Sequence, residues 1–200
     1  MTRTATLLLS LLVLLPAKFA FAQAADTPFQ ATAITNDLTR GDSLVALSNS
    51  GASATTTTNG QVCTNVYATT GNGATIPGVS ACCTCKMQPN GYAQLSVNGD
   101  ILAGVSPRPR NVVIKLMASS GSAGVCNAST VGTGANVLTL GMVGMQGAVP
   151  PPPTFGSPSA PLTFFTSFTP STLSAAELTR LTQGCSALAA RTCNASVCAP

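Results

Sequence analysis

Two hundred residues that are 45% hydrophobic, 7% charged and 4% aromatic, with no His and no Trp, rule out whole classes of chemistry. Without histidine the chain can build neither a Ser-His-Asp nor a Cys-His machine, nor a His-containing zinc site. Nine basic residues against five acidic ones are too thin a balance for a nucleic-acid binder, while ample apolar content with little charge is the reverse of a disordered composition.

Met1 to Ala22 has the three-part plan of a secretory signal peptide. Arg3 supplies the positive start, Ala5 to Ala17 an apolar run broken only by Thr6, Ser10 and Pro16, and Ala20-Phe21-Ala22 the small residues a signal peptidase reads. The run is about 13 residues against the ~20 that a membrane-spanning helix needs, and nothing later in the chain reaches spanning length. No twin arginine occurs, which favours the general export route. Cleavage after Ala22 leaves residues 23–200 as one β-rich, disulfide-containing domain, with seven basic residues facing five acidic ones.

Gln23 to Thr39 reads as a polar lead-in with faint alternation at Phe29, Ala31 and Ala33. Short extended runs follow, separated by turn chemistry. Leu44 to Leu47 lies between Gly41-Asp42 and Asn49-Ser50-Gly51; Gln61 to Ala68 alternates, with Val62, Thr64, Val66 and Ala68 on one face and Cys63, Asn65 and Tyr67 on the other. Tyr92 to Val97 lies between two strong turn dipeptides, Asn90-Gly91 and Asn98-Gly99. Asn111 to Ala118 is the best strand and is apolar enough to be central; Val137 to Val143 and Leu162 to Thr169 are weaker. Such short runs with frequent Gly, Asn and Pro predict an all-β, antiparallel β-sandwich-like domain.

Near the C-terminus, Ser174-Ala175-Ala176-Glu177 fits a capping box. Leu178, Leu181, Cys185 and Leu188 continue it as one apolar helical stripe, interrupted by Gly184, which shortens the helix or marks close packing. Ala54 to Gly60, with four threonines in a row, and the Pro-rich segment 149–161 read as surface, the latter a polyproline-like connector that cannot sit inside a sheet.

Cys63, Cys82, Cys83, Cys85, Cys126, Cys185, Cys193 and Cys198 all lie beyond the signal. An even number in an exported chain predicts a structural disulfide framework, whose pairing, one of 105, is not readable from spacing. Adjacent Cys82 and Cys83 point to opposite faces of an extended stretch and so reach different partners. The crowding of Cys185, Cys193 and Cys198 implies that the tail is tied back to the body. Three rival readings use the same cluster. Cys82 to Cys85 has redox C-x-x-C spacing but is followed by a turn at Met87 to Gly91 rather than a helix. With Lys86 it matches a C-x-x-C-Lys haem attachment, and four thiolates suffice for a metal.

Other chemistry is sparse. Asp26, Asp37, Asp42 and Asp100 sit beside turn-type residues, where carboxylates bond nearby amides. No calcium loop, phosphate-cradling loop or nucleophile elbow occurs. Arg108 and Arg110 flank Pro109 in a small basic loop suited to anionic polysaccharide or lipid heads. Asn127-Ala-Ser129 and Asn194-Ala-Ser196 match the glycosylation pattern.

Val62 to Tyr67, Cys82-Cys83-Thr84-Cys85, Pro89-Asn90-Gly91, Leu95 to Val97, Val112 to Ser119 and Leu173 to Leu178 together resemble a group of uncharacterised exported bacterial proteins with eight cysteines including a CCxC cluster. The resemblance spans roughly Leu44 to Cys198 and implies no activity; the run Pro150 to Pro153 departs from it.

The expectation is thus an exported, periplasmic, cell-surface or released protein, non-catalytic and without a cofactor, acting by binding or assembly. Its expected partners are a cell-surface or extracellular protein or a polysaccharide. The alternative is a secreted redox, haem- or metal-binding protein centred on Cys82, Cys83 and Cys85.

Overall fold

Turn residues divide the chain into extended pieces too short to be stable alone, so their pairing decides the architecture. The computed structural model describes residues 29–36, 42–52, 59–70, 78–120, 125–131, 143–148, 165–188 and 191–198. These form β1 (Phe29–Thr35), β2 (Ser43–Ser48), β3 (Val62–Thr69), β4 (Val79–Met87), β5 (Tyr92–Ser96), β6 (Asn111–Ser119), β7 (Val143–Ala148), β8 (Phe165–Ser167), β9 (Thr169–Pro170), α1 (Ala175–Ser186) and β10 (Arg191–Thr192). A single helical turn, Val97–Ile101, follows β5.

Six strands make one sheet in the order β10-β4-β3-β6-β1-β9, and four make a second in the order β5-β2-β7-β8. Neighbours run antiparallel except β10, which lies parallel to β4. The fold is therefore the expected antiparallel sandwich with one main helix. Val45 and Leu47 of β2, with Ala93 and Leu95 of β5, meet Val62, Val66, Cys83, Cys85, Ile114 and Leu116 of the larger sheet in the main core. Alternation sends the intervening residues of the larger sheet to its outer face. There Phe29, Tyr67, Cys82 and Met117 pack with Leu181 and Cys185 of α1 in a second core. This is why β3 is buried along its whole length: the second sheet covers one side, and on the other Cys63 is bridged to Cys126 and Tyr67 packs with Ala128, Val131 and the residues of α1.

Several expected boundaries move. The polar lead-in contains a true strand, β1, paired with β6 from Phe29↔Met117 to Thr35↔Asn111 and with β9 on its other side. Its small residues Ala31 and Ala33 carry almost no hydrophobic signal, and backbone pairing does not need one. Of the weak run at 137–143, only Val143 lies within the described residues; the strand runs on through Gly144 and Gly147 to Ala148. Ladders to β2 and β8 on its two sides hold this glycine-rich piece extended. The weak run at 162–169 is split: β8 belongs to one sheet and β9 to the other, and buried Phe168 marks the crossing. Asn98-Gly99 makes no hairpin but the helical turn after β5, closed by Leu102 N–H donating to Val97 O at 2.7 Å. Asn90, at φ 59°, and Gly91, whose N–H donates to Gln88 O at 2.9 Å, do form the expected turn. The signal segment 1–22, residues 54–58 of the stretch 54–60 and the Pro-rich segment 149–161 lie outside the described residues.

Candidate functional site

The cysteines pair as Cys63–Cys126, Cys82–Cys185, Cys83–Cys193 and Cys85–Cys198, and none is free. Three of the four bridges leave one strand, β4, and all three end in the C-terminal segment, in matching order along both. Strand alternation explains the division of labour. Cys82 faces the helix layer and ties α1 to the sheet, whereas Cys83 and Cys85 face the main core and hold the tail beyond α1. The expectation that adjacent Cys82 and Cys83 reach different partners is met. Cys82 and Cys85 lie on opposite faces in separate bridges, so the C-x-x-C spacing forms no bridge of its own. Four bridges are the pattern of an oxidising compartment, not of a reducing cytosol.

The helix face is fixed by one charge cluster. Ser174 Oγ accepts from Glu177 N–H at 3.1 Å, which is the serine half of the capping box. The glutamate half is different: its carboxylate accepts from Lys115 Nζ of β6 at 2.6 Å and is also paired with Arg180. Burial pushes this carboxyl upward, but the hydrogen bonds and charges of Lys115 and Arg180 outweigh it and hold the group below the usual carboxylate range. Capping alone therefore does not account for Glu177; it also joins α1 to the sheet. Leu181 and Cys185 are buried and Leu178 is partly so, whereas Leu188, past the helix end, is 39% exposed. Gly184 marks close packing, since a Cβ there would lie 2.6 Å from Val79 Cγ2. Beneath the helix layer, Tyr67 donates its hydroxyl to Ala128 O at 2.8 Å, and burial pushes the phenol far above its ordinary pKa.

Where the sheet's outer face runs on beyond α1, a cleft of about 400 Å³ opens. Its lining comes from Thr84 and Lys86 of β4, Val125 and Cys126, and Thr192, Ala195 and Cys198 of the tail. Thr84 Oγ1 donates to Cys126 O at 3.4 Å. Val125, 66% exposed, stands at the rim. Lys86 is the cleft's one charge, and no carboxylate among the described residues pairs with it. A wider, shallower depression lies along α1 beside Gly78 and Val79, but its charge, Arg180, is already taken by Glu177. Sequence reasoning singled out Lys86 only as a haem-attachment residue. The alternation Cys82, Thr84, Lys86 was the available signal that it shares the outer face.

The remaining candidates serve the frame. Asp42 Oδ1 accepts from Asn98 N–H at 3.2 Å and from Asn98 Nδ2 at 2.8 Å, and its other oxygen accepts from Ser96 Oγ. Asn98 and Asn36 exchange side-chain amide bonds of 2.7 and 2.6 Å in the interior. Asp100 accepts from Ser96 N–H at 2.7 Å and from Asn194 Nδ2 at 2.9 Å. Both aspartates thus bond backbone amides as expected; Asp26 and Asp37 lie outside the described residues. Arg191 donates to Asp100 O at 2.7 Å and Ile101 O at 2.9 Å, tying β10 to the helical turn. Arg108 and Arg110 are exposed on a loop held by Asn36, whose Nδ2 donates to Pro109 O at 3.1 Å.

The two Cys-Asn-Ala-Ser segments, which the sequence leaves as a coincidence, adopt one conformation. Asn127 Oδ1 accepts from Ser129 N–H and Oγ at 2.9 and 2.7 Å, and Asn194 Oδ1 from Ser196 N–H and Oγ at 3.0 and 2.6 Å. Each turn follows a bridged cysteine, and Cys126 of one segment and Ala195 of the other line the cleft, so the shared local sequence fixes the same geometry twice.

Among the described residues no group of His, Cys, Asp or Glu is arranged to hold a metal, and no helix is long and apolar enough to cross a membrane. Fold and site together define a class: a disulfide-stapled, mainly antiparallel β-sandwich with one principal helix near its C-terminus. Comparison with protein-family models, with curated proteins and with solved structures found no match.

Proposed function

We propose that the chain is exported through the general secretory route, cut after Ala22, and acts outside the cytosol as a non-catalytic binding or structural domain. On this reading it belongs with the exported bacterial proteins it resembles and meets a cell-surface or extracellular protein or a polysaccharide. The observation that carries the proposal is the use of every cysteine in a bridge, three of them joining β4 to the tail. Sulfur so placed closes the frame and leaves no thiolate for redox exchange between Cys82 and Cys85, for haem attachment or for a metal. The described carboxylates support the same reading: Asp42, Asp100 and Glu177 are all engaged by neighbouring donors, which leaves none free as a general acid or base.

The test is a thiol count on native material collected outside the cytosol, together with sequencing of its N-terminus. The expected result is a start at Gln23, no reactive thiol in the native protein, and eight after denaturation and reduction. Two reactive thiols at Cys82 and Cys85, or a haem band in the visible spectrum, would overturn the proposal in favour of the redox or haem alternative.

A further inference from the structure

Beyond that reading, and independent of it, the four bridges are not equivalent. The six cysteines joining β4 to the tail are all buried, and so is Cys63; Cys126 and Cys198 both line the cleft, but Cys198 is only 2% exposed, and Cys126 alone of the eight is partly exposed. Cys63–Cys126 is also the one bridge that takes no part in tying down the tail. In the β3–β4 register Cys63 stands directly opposite Lys86. Cross-strand partners share a face, with Cβ atoms about 4.5–5.5 Å apart. The cation that no described carboxylate neutralises therefore sits beside this bridge, in a cleft of about 400 Å³, room for a small molecule.

We propose that the cleft is a thiol-exchange site, at which a small anionic thiol modifies Cys126. The chemistry balances as a disulfide exchange. The thiolate of the incoming molecule attacks Cys126 Sγ and a new S–S bond forms between them. The Cys63–Cys126 bond breaks and its electron pair leaves on Cys63 Sγ as a thiolate. No external oxidant is consumed, because the reductant is the thiol itself. Lys86 contributes twice: its ammonium attracts the anionic group of the incoming thiol into the cleft, and it faces the charge that develops on Cys63. Thr84, whose hydroxyl donates to Cys126 O, holds the attacked residue against the strand. The three bridges from β4 to the tail stay closed, because all six of their cysteines are buried, Cys198 at the cleft included, so exchange at Cys126 leaves the sandwich folded.

The experiment treats the native protein with reduced glutathione, traps free thiols rapidly by alkylation, and maps the labelled peptides against time. Glutathione on Cys126 and label on Cys63 are expected at least ~10-fold faster than label at any of the other six cysteines, whose reaction needs prior opening of the fold. Uncharged 2-mercaptoethanol serves as the second probe. Lys86→Gln is expected to lower the glutathione rate relative to the 2-mercaptoethanol rate by roughly five-fold, the effect of losing one unit-charge attraction across about 4 Å of water. Lys86→Arg is expected to retain the ratio. Simultaneous labelling of all four bridges, or first labelling at a bridge of the tail, overturns the site. An unchanged ratio in Lys86→Gln overturns the anionic class of its substrate. Neither result touches the thiol count of the untreated protein, on which the proposed function is tested.

Discussion

The three bridges between β4 and the tail lie side by side in the same order along both segments, and this closeness sets how much each one contributes. Alone, closing the span from Cys85 to Cys198, 113 residues apart, restricts the unfolded chain by about 4.8 kcal/mol at room temperature. With Cys83–Cys193 in place, however, Cys85–Cys198 only completes a ring of nine residues, 83–85 and 193–198. The same relation then gives about 2.6 kcal/mol. Replacing two buried half-cystines by alanine adds up to about 1 kcal/mol of lost packing. The Cys85→Ala/Cys198→Ala double variant is therefore expected to lose about 3–4 kcal/mol, not the ~6 kcal/mol of an isolated span with the same packing loss. Guanidinium unfolding without reductant, extrapolated linearly to water, measures the difference. A loss of about 6 kcal/mol or more would refute the argument, because it would mean that the other two bridges do not keep the tail closed once this one is gone.

Two further outcomes test the helix layer. Gly184→Ala sets a helix-propensity gain of ~1 kcal/mol against a Cβ lying 2.6 and 2.9 Å from Val79 Cγ2 and Cβ. Because Cys185 is bridged to Cys82, the helix cannot slide away, and an overpacking cost of ~1–3 kcal/mol wins. A lower Tm is expected, whereas a stabilised variant would show that α1 lifts freely. Glu177→Gln is expected to cost about 0.5–1 kcal/mol at neutral pH, the scale of a solvent-screened pair. The folded carboxyl is held low, so its contribution is present above the unfolded pKa of about 4.3 and is lost as pH falls through the folded value. Urea melts of both proteins at neutral and strongly acidic pH check this, and a difference that persists in acid counts against it.

The legibility of the sequence varies element by element, for physical reasons. β6 was plain because Val112, Ile114 and Leu116 fill the main core while β6 pairs on both sides. Ser174 announced the start of α1 because a capping serine acts within its own turn. β1 and β7 were faint because Ala and Gly carry little pattern, and each is held by neighbours distant in the chain. The second role of Glu177 was hidden for the same reason, since Lys115 lies 62 residues away.

The sequence by itself determined the composition of the surface, the absence of histidine chemistry, the strand-and-turn grammar and the fact that eight thiols had to be accommodated. All of these are local or additive properties of the chain. Only the tertiary structure decided which sulfur meets which, that three bridges converge on one strand, and that Lys86 faces Cys63 beside an open cleft. Such facts depend on register and on which face of the sheet the helix covers. Both are settled by burying two cores at once, and no spacing along the chain encodes that.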